Sequence, residues 1–341
     1  MATTTTAKRL LSSLKALGIT AAQVRSLLPD WWVDDVAESE DGLLELQLVL
    51  ARRLSLSLTS LQALGGTPSF QASAHRFKTV HPEGSSQLAV SAAMGTGLAR
   101  LVVSASSGHT PLVPLQAAAL RDSILKDAGS VGLEQLVYWS WRIGMPLVHV
   151  TGWPKGLRRP DAMCLRVENR PVILIVRNEV TPAKLAYLVA HEIGHIASGH
   201  LRADGNSVLV DEALPVNSEQ SASDEDEVEA DAFAGVLLGE KEASGIVKAI
   251  GPSVSSELKL ASQASLACRG KSVNPGQVIL AWGRTYKDWK TTNMALKYLQ
   301  TTQPAPRLIN DIAKEFLDFS ALTGDGLDHL RKLTEMEPDQ V

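Results

Sequence analysis

At 341 residues, 45% hydrophobic and 21% charged, the chain has the make-up of a globular protein of about two domains, which excludes a disordered or collagen-like polymer. A formal net charge of −4 gives no reason to expect a polyanion partner for the molecule as a whole, and leaves room for a local basic patch. Cys164 and Cys268 lie too far apart for a metal or redox motif and imply a reducing compartment. No secretory signal follows Met1, so the expected location is the cytoplasm.

Residues 1–62 read as a helical module. Leu10, Leu11, Leu14 and Leu17 keep helical spacing and Gly18 stops the run. Thr20 is placed to cap a short second helix that Pro29 ends, and Leu43 to Leu54 forms a third. The stretch Ala51 to Leu61 resembles part of the helix-turn-helix of phage-repressor-like DNA-binding domains. Residues 1–60, however, carry six basic against seven acidic side chains, a sum of −1, where a DNA-reading face shows a basic excess. A protein-contacting or structural module is therefore favoured over DNA binding.

Residues 63–86 are rich in Gly, Pro and Ser and read as a linker, leaving 87–290 as a second domain and 291–341 as a helical extension. Small-residue helices are expected over 87–127; Leu88 to Gly108, interrupted by Arg100, reads as a core helix rather than a membrane span. Leu133 to Ile143 is expected to be a helix ended by Gly144. Three strands follow, Pro146–Val150, Met163–Val167 and Val172–Val176, the last two joined as a hairpin through Glu168 to Pro171. The fold class is thus α+β, mainly helical, with a small sheet packed on a pair of helices.

Thr181 as N-cap and Pro182 at the first helical position open a helix running to Ser198. It carries His191-Glu192-Ile193-Gly194-His195. Histidines four apart project from one helical face and can share one tetrahedral ion. Glu192 is rotated by about 100° and sits beside the ion, where a carboxylate can take a proton from the attacking water. A second helical pattern, from Glu227 through Leu238, places Glu227 and Asp231 on one face. Glu227 is assigned as third ligand and Asp231 as acceptor of a ligand histidine's free N–H, with Glu229 the weaker candidate. Two His and one Glu leave a fourth position open, the pattern of catalytic zinc. His200 would face away if the helix continued, which favours capping or packing over ligation. Tyr187, one turn before His191, is the one side chain offered for an oxyanion role. If Val172–Val176 forms a sheet edge, it could align a peptide by strand addition.

His191-Glu-Ile-Gly-His195 followed by Glu227-x-x-Ala-Asp-x-Phe-Ala-x-x-Leu-Leu238 resembles the ImmA/IrrE family of metallopeptidases. Val273-Asn-Pro-Gly-Gln-Val-Ile-Leu280 is similar to the helix start of its longer members. The resemblance covers about residues 130–290. It implies an intracellular, gluzincin-like enzyme in which His191, His195 and Glu227 bind Zn2+ and Glu192 is the base. It also implies a protein substrate, a helix-turn-helix transcriptional repressor of mobile-element or stress genes. The long polar connection from Arg202 to Asp226 departs from the short family pattern and reads as a flap that could condition activity. Residues 291–341 carry two helical runs, Met294 to Leu299 and Leu308 to Phe319, broken at Gln303 to Pro306 and without visible chemistry of their own. The rival readings are a DNA-binding regulator whose zincin-like domain acts as a sensor, and a metal-free interaction scaffold.

Overall fold

The computed structural model describes residues 2–63, 66–71, 74–78, 85–107, 115–179, 181–201, 207–211, 225–299 and 303–337. Four helices open the chain: α1 (Ala2–Lys15), α2 (Ala21–Leu27), α3 (Glu40–Arg53) and α4 (Leu58–Gln62). Gly18 takes φ +82°, the left-handed turn that ends α1. Thr20 and Gln23 form a reciprocal capping box at the start of α2. The segment read as a linker contributes strand β1 (Ala74–Lys78). Next come α5 (Ser85–Ala105), α6 (Ala117–Asp127), α7 (Leu133–Arg142), β2 (Leu147–His149), β3 (Ala162–Val167) and β4 (Arg170–Ile175). Glu168 and Asn169 both have positive φ, 51° and 63°, so the β3–β4 hairpin turns on these two residues.

Among the described residues five strands form one sheet in the order β1-β5-β3-β4-β2, where β5 is Ser207–Asp211. β5 comes from the polar connection; residues 202–206 and 212–224, the rest of the expected flap, lie outside the described residues. The strand Val172–Val176 is not an edge. β4 pairs antiparallel with β3 and parallel with β2, so both its hydrogen-bonding sides are used and a peptide cannot add there.

The α+β expectation holds: most of the structure is helical, and helices cover both faces of the sheet. α5 crosses one face. Gly95 leaves the room that Met163 of β3 fills. By length and apolar composition Gln87–Ala105 could cross a membrane, but 78% of that window is buried inside the fold, which makes it a core helix. On the opposite face lies α8 (Pro182–Ala197), buried continuously from Leu185 to Ile196. Side chains alternate along a strand, so while Met163 faces α5, its neighbour Cys164 faces α8.

Against α8 packs α9 (Glu225–Leu238), followed by α10 (Glu240–Ile250), α11 (Glu257–Ala267), α12 (Pro275–Tyr286), α13 (Trp289–Lys297), α14 (Ala305–Lys314) and α15 (Gly324–Thr334). The Pro-Gly run at 275–276 begins α12, with Asn274 as its cap. A Cβ on Gly276 would lie 2.5 Å from that of Ala183, and Gln277 donates to the Ala183 carbonyl at 2.9 Å. The start of α12 thereby buttresses the start of α8. Trp282 is a core residue whose indole N–H donates to the Gly251 carbonyl at 2.8 Å.

The terminal segments both join the main body. Gln23 donates to the Gly156 carbonyl at 2.7 Å, and buried Arg53 pairs with Asp325 of α15. Asn310 of α14 accepts from the His149 amide at 2.8 Å and donates to the His149 and Thr334 carbonyls at 2.9 and 2.7 Å. These bonds tie the tail to the edge strand β2.

Candidate metal centre

Helix α8 begins at Pro182, with Thr181 in the cap position. The Thr181 side chain makes no capping bond, and its amide donates instead to Glu179 at 2.9 Å. Nine residues on, His191 and His195 lie one turn apart with their rings nearly perpendicular, and their Nε2 atoms are separated by 3.0 Å. Close approach of α9 requires Gly194. A Cβ there would sit 2.8 Å from the Ala230 carbonyl oxygen and 3.0 Å from its Cα. With Gly194 in place, Glu227 reaches both rings, Oε2 at 3.2 Å from His191 Nε2 and Oε1 at 3.4 Å from His195 Nε2.

These three separations test the site for a metal. A tetrahedron with arms of about 2.0–2.1 Å, the zinc–nitrogen and zinc–oxygen distances, has edges of about 3.3–3.4 Å. The His–His separation of 3.0 Å and the His–Glu separations of 3.2 and 3.4 Å, which run to different oxygens of the Glu227 carboxylate, each lie within a few tenths of an ångström of such an edge. All the donor atoms lie within 4.8 Å of one another, and all three residues are buried. Two ring lone pairs and a carboxylate facing one point repel each other, and a cation at that point reverses the sign. The donor set fits a divalent metal.

The surrounding groups set the direction of each ring. His191 Nδ1 lies 2.8 Å from Asp231 Oδ1, so the proton sits on Nδ1 and the Nε2 lone pair turns toward Glu227. Tyr187 donates its hydroxyl to the same Asp231 oxygen at 2.7 Å. Burial and then the Asp231 charge push the Tyr187 phenol well above its usual pKa, and Arg284 stacks over its ring at 5.1 Å. Its one proton is committed to Asp231, which corrects the reading of Tyr187 as an oxyanion donor.

Glu192 is fully buried and turns toward the sheet. There the Cys164 thiol donates to Glu192 Oε2 at 2.8 Å, and Sγ lies 3.3 Å from the Glu192 carbonyl oxygen. Sequence spacing had no means of finding Cys164, since its link to Glu192 depends on how β3 lies across α8. His200, read as a capping or packing residue rather than a ligand, turns back toward the site because the helix stops at Ser198 and Gly199 at φ +77° folds the chain back. His200 Nδ1 then meets His195 Nδ1 at 2.8 Å. Glu229 faces outward from the three-ligand point but reaches His200 at 3.1 Å.

The fold therefore presents a buried, metal-competent His–His–Glu group on a pair of packed helices, with the Glu192 carboxylate on the same helix held by Cys164. Residues 124–253 match the family model of Peptidase U49, a span that holds α8, α9 and every residue of this group and falls short of half the chain. The match supports a peptidase. No curated protein and no solved structure matches the chain.

Proposed function

We propose that this protein is a zinc-dependent endopeptidase that cuts a regulatory protein in the cytoplasm. The observation that carries the reading is the buried convergence of His191, His195 and Glu227 donor atoms, spaced for one metal ion, inside the span matched by the peptidase family. His191, His195 and Glu227 would hold the metal, leaving a fourth position open. Bound there, zinc supplies Lewis acidity to the scissile carbonyl and to water. Glu192 takes the proton of the attacking water and returns it to the leaving amine. Asp231 keeps the His191 proton on Nδ1, and Cys164 holds the Glu192 carboxylate from the sheet side.

The finer assignment, to the ImmA/IrrE type acting on helix-turn-helix repressors, rests on the motif spacing of His191–His195 and Glu227–Leu238. In this reading residues 87–290 are the peptidase domain, and 1–62 and 291–341 are additions to it. Elemental analysis of gently purified full-length protein should find about one zinc per chain, lost in His191→Ala. A metal-free sample would end the enzyme reading. Glu192→Gln should keep the zinc yet abolish cleavage. Comparing new protein N-termini in cells expressing wild type and Glu192→Gln identifies the substrate; cleavage that persists in the variant would remove Glu192 as the base.

A further inference from the structure

The two histidines of the centre are held in different ways. His191 is backed directly by a carboxylate, whereas His195 is backed by a second imidazole. Gly199, in the left-handed conformation, reverses the chain after α8, and the His200 amide donates to the His195 carbonyl at 3.0 Å. The same turn lays the two rings together, centroids 5.0 Å apart and planes at 60°, with Nδ1 facing Nδ1 at 2.8 Å. On its far side His200 Nε2 lies 3.1 Å from Glu229 Oε2 and 3.5 Å from Asp226 Oδ1, both on the first turns of α9. The His200 side chain is only 6% exposed.

With a metal held by the three ligands, one proton arrangement satisfies every contact from His195 Nδ1 outward. His195 Nε2 faces Glu227 in the ligand group and must offer a lone pair to the metal, so its proton is on Nδ1. That N–H can only donate to an Nδ1 lone pair of His200, which places the His200 proton on Nε2, opposite two carboxylates. Every bond in the chain from His195 through His200 to Glu229 then has one donor and one acceptor. We propose that His200 is a positioning residue for the metal centre: it fixes the tautomer and ring angle of His195, with Glu229 as the terminal carboxylate. The proposal rests on the metal-site reading above. It replaces the carboxylate that backs His191 with a two-residue relay, which links the second ligand to the opening turns of α9 and so to the helix that supplies Glu227.

The test separates holding a proton from filling space. His200→Phe keeps a ring but offers no acceptor, whereas His200→Asn places an amide oxygen near the position of Nδ1. Zinc affinity of the full chain, measured by competition with a chromogenic chelator, should fall about 10–100-fold in His200→Phe and stay within about threefold of wild type in His200→Asn. Equal losses in both variants, or no loss in His200→Phe, would overturn the proposal. Should His200→Phe fail to fold, Glu229→Ala changes a side chain that is 62% exposed and should still weaken zinc severalfold; wild-type affinity in that variant also counts against the relay. A second readout needs no metal. Long-range proton–nitrogen spectra of the metal-free protein should show His195 as the Nδ1–H tautomer, and as a mixture of tautomers in His200→Phe. His195 found as Nε2–H in wild type overturns the relay, whereas failure of wild type to bind zinc at all overturns only the metal reading.

Discussion

Asp231 serves two partners, so replacing it separates the stability of the fold from the affinity of the site. Its Oδ1 accepts from Tyr187 at 2.7 Å and from His191 Nδ1 at 2.8 Å. In Asp231→Ala the buried Tyr187 hydroxyl loses its acceptor, at a cost of about 1–3 kcal/mol to the metal-free fold. His191 loses the group that fixes its tautomer, which weakens metal binding by about 10–100-fold, or about 1.4–2.7 kcal/mol. At fixed free zinc the second loss adds to the first, because metal that binds only the folded chain stabilises it by an amount set by its Kd. Urea unfolding with and without buffered zinc measures both. The metal-free midpoint should drop, and the gap between the two curves should shrink by the affinity term. Tyr187→Phe is the control: it removes the hydroxyl and leaves His191 bonded, so zinc affinity should stay within about threefold of wild type. If Tyr187→Phe weakened zinc as much as Asp231→Ala, or Asp231→Ala left the affinity unchanged, the reasoning about His191 would be refuted.

Three further outcomes follow from the same geometry. Alanine normally gains about 1 kcal/mol over glycine inside a helix, but at Gly194 its Cβ would run into the Ala230 backbone, and overpacking of this kind costs about 1–3 kcal/mol. Gly194→Ala should therefore be destabilised in thermal melts and bind zinc more weakly as Glu227 is pushed away; a gain in stability would show that α8 and α9 do not touch there. Cys164→Ala should slow cleavage about fivefold at unchanged zinc content, from loss of one hydrogen bond of about 1 kcal/mol, with Cys164→Ser recovering part of the rate; an unaltered rate would make the thiol a packing group. Burial lowers the His149 pKa from 6.5 to about 4. The unfolded chain then takes up a proton below pH 6.5 that the folded chain refuses until about pH 4, so this residue's contribution is complete above pH 6.5 and is lost as pH falls toward 4. For metal-free protein the loss between pH 7.5 and 5 should be on the order of 2 kcal/mol larger in wild type than in His149→Gln. Parallel pH profiles of the two proteins would refute it.

The readable part of this protein was the part governed by helical spacing. Four residues between His191 and His195, and four between Glu227 and Asp231, are nearly one turn, so each pair shares a face whatever the rest of the chain does. Capping by Thr20 and the stops at Gly18 and Gly144 are local in the same sense. Tertiary structure decided what no window of residues contains. β1 and β5, more than a hundred positions apart, find each other only across the assembled sheet, and β4 became an interior strand because β2 took its open side. His200 meets His195 through one dihedral, the left-handed Gly199, which ends the helix on whose continuation His200 would have faced away. Cys164 reached Glu192 because alternation along β3 aimed it at α8 rather than at α5. Local periodicity fixes which side chains can face one another along a single element; the distances that bring two histidines and a glutamate together as a metal-competent group come from how closely Gly194 lets a second helix approach.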